Sequence, residues 1–113
     1  MTKLKTEEIP QDCANQLDTV LDSDLFKCLS EPIRCKILRI VALNGPIDVM
    51  GVSEYFSQDR SVISRHLSQM CSAGILKSEK KSRSKLYWID GEVLLNKLEE
   101  MTETVRNLVR CEC

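Results

Sequence analysis

The chain lacks the long apolar segments that membrane and secreted proteins carry. The uncharged apolar run from Ile40 to Leu43 is far too short to cross a bilayer, which takes about 20 apolar residues. The N-terminus has Lys3 and Lys5 but continues with acidic residues and Pro10 instead of the apolar region of a secretory signal. We therefore expect a cytoplasmic protein without a membrane partner.

The sequence also lacks the residue patterns of common enzymes. It has a single histidine, no glycine-rich loop that would hold phosphate, and no histidine paired with carboxylates in a pocket-forming context. We therefore expect no enzyme activity and no constitutive cofactor. Its 113 residues and 42% apolar content suffice for one globular domain. We assign residues 1–10 to a flexible polar arm and residues 11–113 to that domain.

The formal net charge of −1 conceals an uneven distribution of charge along the chain. Residues 59–85 contain seven basic and two acidic side chains, whereas residues 1–30 and 86–113 are both net acidic. Positive charge gathered into one segment of a near-neutral protein is typical of proteins that bind a phosphate backbone. A solvated, highly charged loop is the alternative that charge alone leaves open.

The spacing of apolar residues predicts a mainly helical chain. We expect a first amphipathic helix over residues 11–29 and a second over residues 31–42, with Ser30 as the residue that caps the second. Asp48 is expected to cap a short third helix, and a last long helix is expected over residues 92–110.

A fourth helix is predicted over residues 61–74. Ile63, Leu67 and Met70 form its inward stripe, and serines together with Arg65 form the opposite face. Small hydroxyl side chains and one arginine suit entry into a DNA major groove. Serine donates to phosphates or base edges, and arginine recognises guanine with two hydrogen bonds.

A basic hairpin follows the fourth helix. Residues 75–79 and 85–89 are strand-like, and the segment between them is rich in lysine and arginine. Two short helices joined by a tight turn and followed by a basic hairpin form a helix-turn-helix with a wing. The basic side chains of such a hairpin suit contact with phosphates or with the minor groove.

Two motif blocks carry a family resemblance. They are Ser30-Glu31-Pro32-x-Arg34-x-x-Ile37-Leu38, and Ser61-x-x-Ser64-x-His66-Leu67-x-x-Met70-x-x-Ala73-Gly74-Ile75-Leu76, followed by Lys85-Leu86-Tyr87. In these blocks the chain resembles the ArsR/SmtB family of winged helix-turn-helix metalloregulatory repressors. The resemblance covers roughly residues 21–110.

The resemblance implies a winged helix-turn-helix fold that is mainly α with a small β-hairpin. Four helices precede the hairpin, and a fifth helix follows it. It implies a homodimer joined through the first and last helices, and binding to double-stranded operator DNA that an inducer relieves. The DNA-binding residues on this basis are Ser61, Ser64, Arg65, His66 and Ser68 in the fourth helix, and Lys81, Arg83 and Lys85 in the hairpin.

The metal sites of the family are not matched by this sequence. Residues 48–50 are Asp-Val-Met where the family has a Cys-x-Cys type of motif. The positions of the interface zinc site are Asp90, Glu92, Glu103 and Arg106, and arginine cannot bind zinc. We therefore expect no zinc or nickel site of these two kinds.

Three of the six cysteines are candidates for sensing. Cys111 and Cys113 end the sequence, and Cys13 lies near the start of the first helix, which in the family packs against the last. Three thiolates would suit arsenite or another thiophilic ion. We predict that Cys13, Cys111 and Cys113 bind As(III) or a similar ion as the inducer. A tail whose thiols have no function is the alternative.

Two further interpretations stay open. In the first, a redox or persulfide sensor of the same fold forms a disulfide, with Cys35 and Cys111 as the pair that family redox sensors suggest. In the second, which is of another class, the winged helix is a protein-interaction module without operator binding. Cys28, Cys35 and Cys71 are otherwise expected to fill the core.

Overall fold

The computed structural model describes residues 10–110 and confirms a mainly helical architecture with one antiparallel hairpin. Apart from Pro10, the predicted N-terminal arm lies outside the described residues. In chain order the elements are α1 (Gln11–Leu21), α2 (Asp24–Leu29), α3 (Pro32–Asn44), α4 (Val49–Ser53), α5 (Arg60–Ser72), β1 (Leu76–Lys81), β2 (Ser84–Ile89) and α6 (Gly91–Arg110).

The segment predicted as one first helix forms two helices, α1 and α2. Ser23 separates them, and its hydroxyl oxygen accepts a hydrogen bond from the backbone N–H of Phe26 at 3.2 Å. This cap satisfies a helix N–H that would otherwise have no partner. The chain therefore starts a new helix at Asp24, although the apolar stripe continues through Leu25 and Cys28. The described residues thus form six helices and not the five that were expected.

The predicted cap of α3 is wrong, and the predicted cap of α4 is confirmed. Ser30 does not cap α3, because its hydroxyl donates to the carbonyl of Lys27 at 2.7 Å and so closes α2. Pro32 takes the first position of α3, where a missing N–H costs little. Asp48 caps α4 as predicted, since its carboxylate accepts from the N–H of Gly51 at 2.8 Å.

The hydrophobic core forms where α3, α5 and the hairpin meet. Ile63, Leu67 and Met70, the predicted inward stripe of α5, are each 0% exposed, and they cluster with Ile37 and Val41 of α3. Full burial of an aliphatic side chain contributes about 1.5–3 kcal/mol to folding. This packing fixes which side of α5 faces the interior, and it leaves the opposite side in solvent.

Gly74 ends α5 and directs the chain into the hairpin. Its φ of 81° lies in the left-handed region, which favours glycine, and a Cβ there would lie 3.2 Å from Cγ1 of Val93. The N–H of Ile75 then donates to the carbonyl of Met70 at 3.1 Å, a bond typical of helix C-termini. The backbone conformation therefore favours glycine at position 74, and Val93 of α6 leaves little room for a side chain there.

The hairpin is tied to the rest of the fold at its base. Ile47 and Tyr87 exchange two backbone hydrogen bonds of 3.0 and 2.8 Å, so a short bridge joins β2 to the segment before α4. The strands are longer than predicted, because pairing continues to Lys81 opposite Ser84. The connection is a two-residue turn that starts at Ser82, which has a φ of 58°.

A second layer is formed by α1 and α6, which pack against each other. Cys13 and Leu108 are buried in this layer, while Leu95, Leu98 and Val105 of α6 are exposed. None of the helices within residues 10–110 is long and apolar enough to cross a membrane.

Replacing Leu67 with alanine tests the central packing of α5. Leu67→Ala should lower the free energy of unfolding by about 2–5 kcal/mol, because it leaves a cavity in a fully buried cluster. Leu43→Ala is the matched control, since Leu43 is 66% exposed and should change stability by less than about 0.5 kcal/mol. Urea unfolding of both variants checks the expectation, and equal effects would contradict it.

Candidate nucleic-acid interface

The solvent side of α5 presents three of the five residues predicted to contact DNA. Ser61, Arg65 and Ser68 are exposed, and their spacing places them on one face, opposite the buried stripe. Ser64 and His66 are half-buried at the edges of this face. Short hydroxyl side chains around one arginine form a surface that fits a groove without steric conflict.

The predicted basic residues of the hairpin lie together at its end, which we call the wing (residues 80–85). Lys81, Arg83 and Lys85 are all exposed. Lys80 lies directly opposite Lys85 in the strand register, and like charges in that arrangement destabilise a hairpin. The wing therefore concentrates positive charge at a cost to its own stability, and a bound polyanion would relieve that repulsion.

The base of the wing is ordered by Tyr87. Tyr87 is 4% exposed, and the ammonium of Lys85 lies 5.8 Å from the centroid of its ring. Burial, with a smaller contribution from Cys71, raises the pKa of the Tyr87 phenol. Because Tyr87 also bonds to Ile47 through its backbone, the charged wing is fixed relative to the core.

Some residues of this surface were not predicted from the sequence. Arg60 is the first residue of α5 and is exposed beside Ser61. It belongs to the basic segment of residues 59–85, and this was the signal in the sequence that could have identified it. Gln69 and Arg34 join the site through a contact between α5 and α3, and that contact has no signal in local spacing.

The ring of His66 is held by Arg34 of α3. Its Nδ1 accepts a hydrogen bond from Nε of Arg34 at 3.1 Å. Burial lowers the pKa of His66, the positive charge of Arg34 lowers it further, and Glu31 opposes both effects. A direct contact of His66 with DNA remains a prediction.

The four cysteines within residues 10–110 differ in bonding and burial. Cys13 is buried and disulfide-bonded. Cys28 and Cys71 are free thiols whose pKa is raised by burial, which makes them less reactive. Cys35 was expected to fill the core, but it is exposed and donates to the carbonyl of Leu29 at 3.1 Å. Its position on α3 is outside the buried face that contains Ile37 and Val41.

The predicted thiol sites are only partly within the described residues. Cys111 and Cys113 lie outside them, so the site of Cys13, Cys111 and Cys113 and the pair of Cys35 with Cys111 stay predictions. Within residues 10–110, no group of three or more His, Cys, Asp or Glu side chains could hold a metal ion.

Three of the four residues at the positions of the family's interface zinc site, Asp90, Glu103 and Arg106, take part in ion pairs. Asp90 lies 3.8 Å from the ammonium of Lys77, and Glu103 lies 3.5 Å from Nε of Arg106. Asp90 also accepts from the backbone N–H of Val93 at the start of α6. These carboxylates therefore serve local structure.

Comparison with known proteins identifies the family. The model for bacterial regulatory proteins of the arsR family matches residues 31–78, from the N-cap of α3 into β1. The chain is also 31% identical over 67 residues to the uncharacterized HTH-type transcriptional regulator MJ1325 of Methanocaldococcus jannaschii, covering 59% of this chain and 75% of that protein. The chain belongs to the arsR family. It is a transcriptional regulator by family and fold, not an enzyme.

Two regulators whose names refer to arsenic resistance are also similar to this chain. The arsenic resistance transcriptional regulator ArsR1 of Pseudomonas putida is 32% identical over 69 residues, covering 61% of this chain and 54% of that regulator. A crystal structure of a possible transcriptional regulator for arsenical resistance is 26% identical with a TM-score of 0.65, covering 73% of this chain and 83% of that one.

The winged-helix fold is shared more widely. The homodimeric winged helix-turn-helix DNA-binding domain of Mb0332 from Mycobacterium bovis, solved in solution, is 18% identical with a TM-score of 0.58. That comparison covers 95% of this chain and 92% of that domain, so the same fold extends across α1 and α6.

The lowered pKa of His66 predicts a dependence of stability on pH. The neutral ring is favoured in the folded state, so its contribution is complete above the ordinary pKa of 6.5 and is lost as the pH falls through the lower folded value. The contribution of His66 to the free energy of unfolding should therefore decline as the pH falls below 6.5 and should be absent below the folded pKa. Urea titrations of His66→Gln should show a shallower fall, and identical curves would contradict the assignment.

Proposed function

We propose that the chain is a homodimeric transcriptional repressor that binds operator DNA through α5 and the wing. The observation that carries the proposal is the exposed face of Ser61, Arg65 and Ser68, set by the buried stripe of the same helix and followed by a wing of concentrated positive charge. Membership of the arsR family supports the same function.

The two parts of the surface would do different work on DNA. In a major groove, Arg65 would recognise guanine with two hydrogen bonds, and the serines would contact phosphates or base edges. Lys81, Arg83 and Lys85 would contact the backbone or the adjacent minor groove. Specificity would thus come from α5, and most of the salt-dependent affinity would come from the wing.

The exposed apolar face of α6 supports a homodimer. Large side chains exposed along one long helix mark an interaction surface, and a depression of about 350 Å³ lies among them. A two-fold dimer would place two copies of α5 on successive half-sites of the operator. The exposed apolar side chains of α6 are Leu95, Leu98, Val105 and Val109.

Arg65→Ala tests base recognition directly. If Arg65 contacts a base, binding to the DNA upstream of the chain's own gene should weaken by about 1–3 kcal/mol, while binding to unrelated DNA should change little. Fluorescence anisotropy with both DNAs measures the difference. Arg39→Ala, at an exposed residue of α3, is the control for the loss of one charge. An equal loss on both DNAs would make Arg65 a phosphate contact.

The wing distinguishes a DNA-binding protein from an interaction module. Replacing Lys81 and Arg83 with glutamine should weaken binding to all DNA. The slope of the logarithm of the binding constant against the logarithm of the salt concentration should also become less steep, by about 0.9 for each lost phosphate contact. A folded wild-type protein that binds no DNA would instead favour the protein-interaction module.

We further propose that the inducer is thiophilic, with arsenite as the first candidate. The arsenic resistance relative supports this choice, and thiolates are the ligands that such ions prefer. Cys13, with Cys111 and Cys113, would supply three of them. Because Cys13 is disulfide-bonded in the structure, the ion would bind only after that disulfide is reduced. The disulfide also favours a second candidate function, in which oxidation of thiols relieves repression.

Serine variants separate the two sensing mechanisms. With reduced protein and no oxygen, arsenite should release wild-type protein from DNA but should leave Cys111→Ser/Cys113→Ser bound, because too few thiolates remain. Cys71→Ser, at a half-buried free thiol, is the control and should respond as wild type does. Release of the double variant would refute the predicted site. Release by oxidant alone would support redox sensing. Its loss in Cys13→Ser would assign it to the disulfide of Cys13, and its loss in Cys35→Ser would assign it to the pair of Cys35 and Cys111.

A further inference from the structure

The guanidinium of Arg34 joins three helices at one point. Its Nε donates to Nδ1 of His66 at 3.1 Å, and its Nη1 donates to the carbonyl of Cys28 at 3.4 Å. Its Nη2 donates to Oε1 of Gln69. Arg34 lies in the first turn of α3, Cys28 lies near the end of α2, and both other partners lie on α5. The guanidinium thus connects α5 with α2 and α3.

This geometry determines the protonation of the histidine ring. Arginine does not lose its proton in proteins, so Nε of Arg34 is always a donor and Nδ1 of His66 must accept with a lone pair. The neutral ring then carries its proton on Nε2. A charged ring would place an N–H on Nδ1 against the N–H of Arg34, and the hydrogen bond would be lost.

The charged groups around the ring have unequal effects. Arg34 and Arg65 disfavour a positive charge on His66, and Glu31 at the N-cap of α3 favours it. Burial is the largest effect, and the pKa of His66 is lowered overall. The ring is therefore neutral at pH 7, with one tautomer selected by Arg34.

The two contacts on α5 are placed so that they control its rotation. His66 and Gln69 are three positions apart, and they directly follow Arg65 and Ser68, which lie on the proposed DNA-facing side. Two fixed points separated by nearly one turn prevent the helix from turning about its axis. Arginine holds both because its donors form a planar fork, whereas the single ammonium of lysine would not.

We propose that Arg34 is a positioning residue for α5, which sets the rotation of this helix and holds His66 as the neutral Nε2–H tautomer. The inference rests on the proposed function, because the face that Arg34 orients is the one proposed to contact DNA. Arg34 itself need not touch the nucleic acid.

Nitrogen NMR of the imidazole tests the contact with Arg34 without DNA. The chain has one histidine, so its ring signals need no assignment among residues. At pH 7 the wild type should show a protonated Nε2 and an unprotonated Nδ1. In Arg34→Met the tautomers should mix and the ring should titrate at a higher pH. Arg34→Lys keeps the positive charge, so the pKa of His66 should stay lower in this variant than in Arg34→Met.

DNA binding tests the positioning role. Arg34→Met should weaken operator binding by about tenfold, the factor that corresponds to losing a hydrogen bond to a charged group. Arg34→Lys should also bind more weakly, although its charge is unchanged, because it lacks the fork. Arg39→Met removes one exposed charge from the same helix and should leave both the ring signals and most of the affinity unchanged.

The outcomes separate this inference from the proposed function. An Nδ1–H tautomer in the wild type, or unchanged titration in Arg34→Met, would overturn the contact with His66. A folded Arg34→Met that binds the operator as Arg39→Met does would overturn the positioning role. If Arg34→Met does not fold, Gln69→Leu removes one anchor without a change in charge and should also weaken binding. A wild type that binds no DNA would refute the proposed function, while the ring signals would still decide the contact.

Discussion

The burial of one side of α5 is the constraint on which the rest of the molecule depends. Ile63, Leu67 and Met70 are completely withdrawn from water, and no rotation of the helix preserves this. The same packing decides that Arg65 and Ser68 face outward. Core packing therefore decides which face of α5 is turned outward, and the polar contacts of Arg34 with His66 and Gln69 add a second constraint on the rotation of the same helix.

Electrostatics then adds what apolar packing cannot provide. The wing places Lys80 opposite Lys85, and the base of the hairpin is fixed by the bridge from Ile47 to Tyr87. The repulsion between these lysines lowers the stability of the hairpin, but the uncharged residues Ile47 and Tyr87 attach its base to the rest of the fold. Its repulsion is tolerated because the anchoring backbone bonds lie in the core and not at the tip.

Local periodicity predicts some of these features but not others. The spacing of Ile63, Leu67 and Met70 was enough to predict the inner face of α5, since a helix repeats every 3.6 residues. The break at Ser23 was not predicted, because Leu25 and Cys28 continue the apolar stripe across it and only the cap reveals the turn. Arg34 and His66 are 32 positions apart, so no local pattern predicts their contact.

The distribution of thiols bears on how a signal would reach α5. Cys28 and Cys71 lie close to α5 or within it, but burial raises their pKa, which disfavours the reactive thiolate. Cys13, which is disulfide-bonded, lies in the separate layer of α1 and α6. A thiol event in that layer would have to cross to α5 through packed elements. The carbonyl of Cys28 at the end of α2, held by Arg34, is one polar contact that lies on such a route.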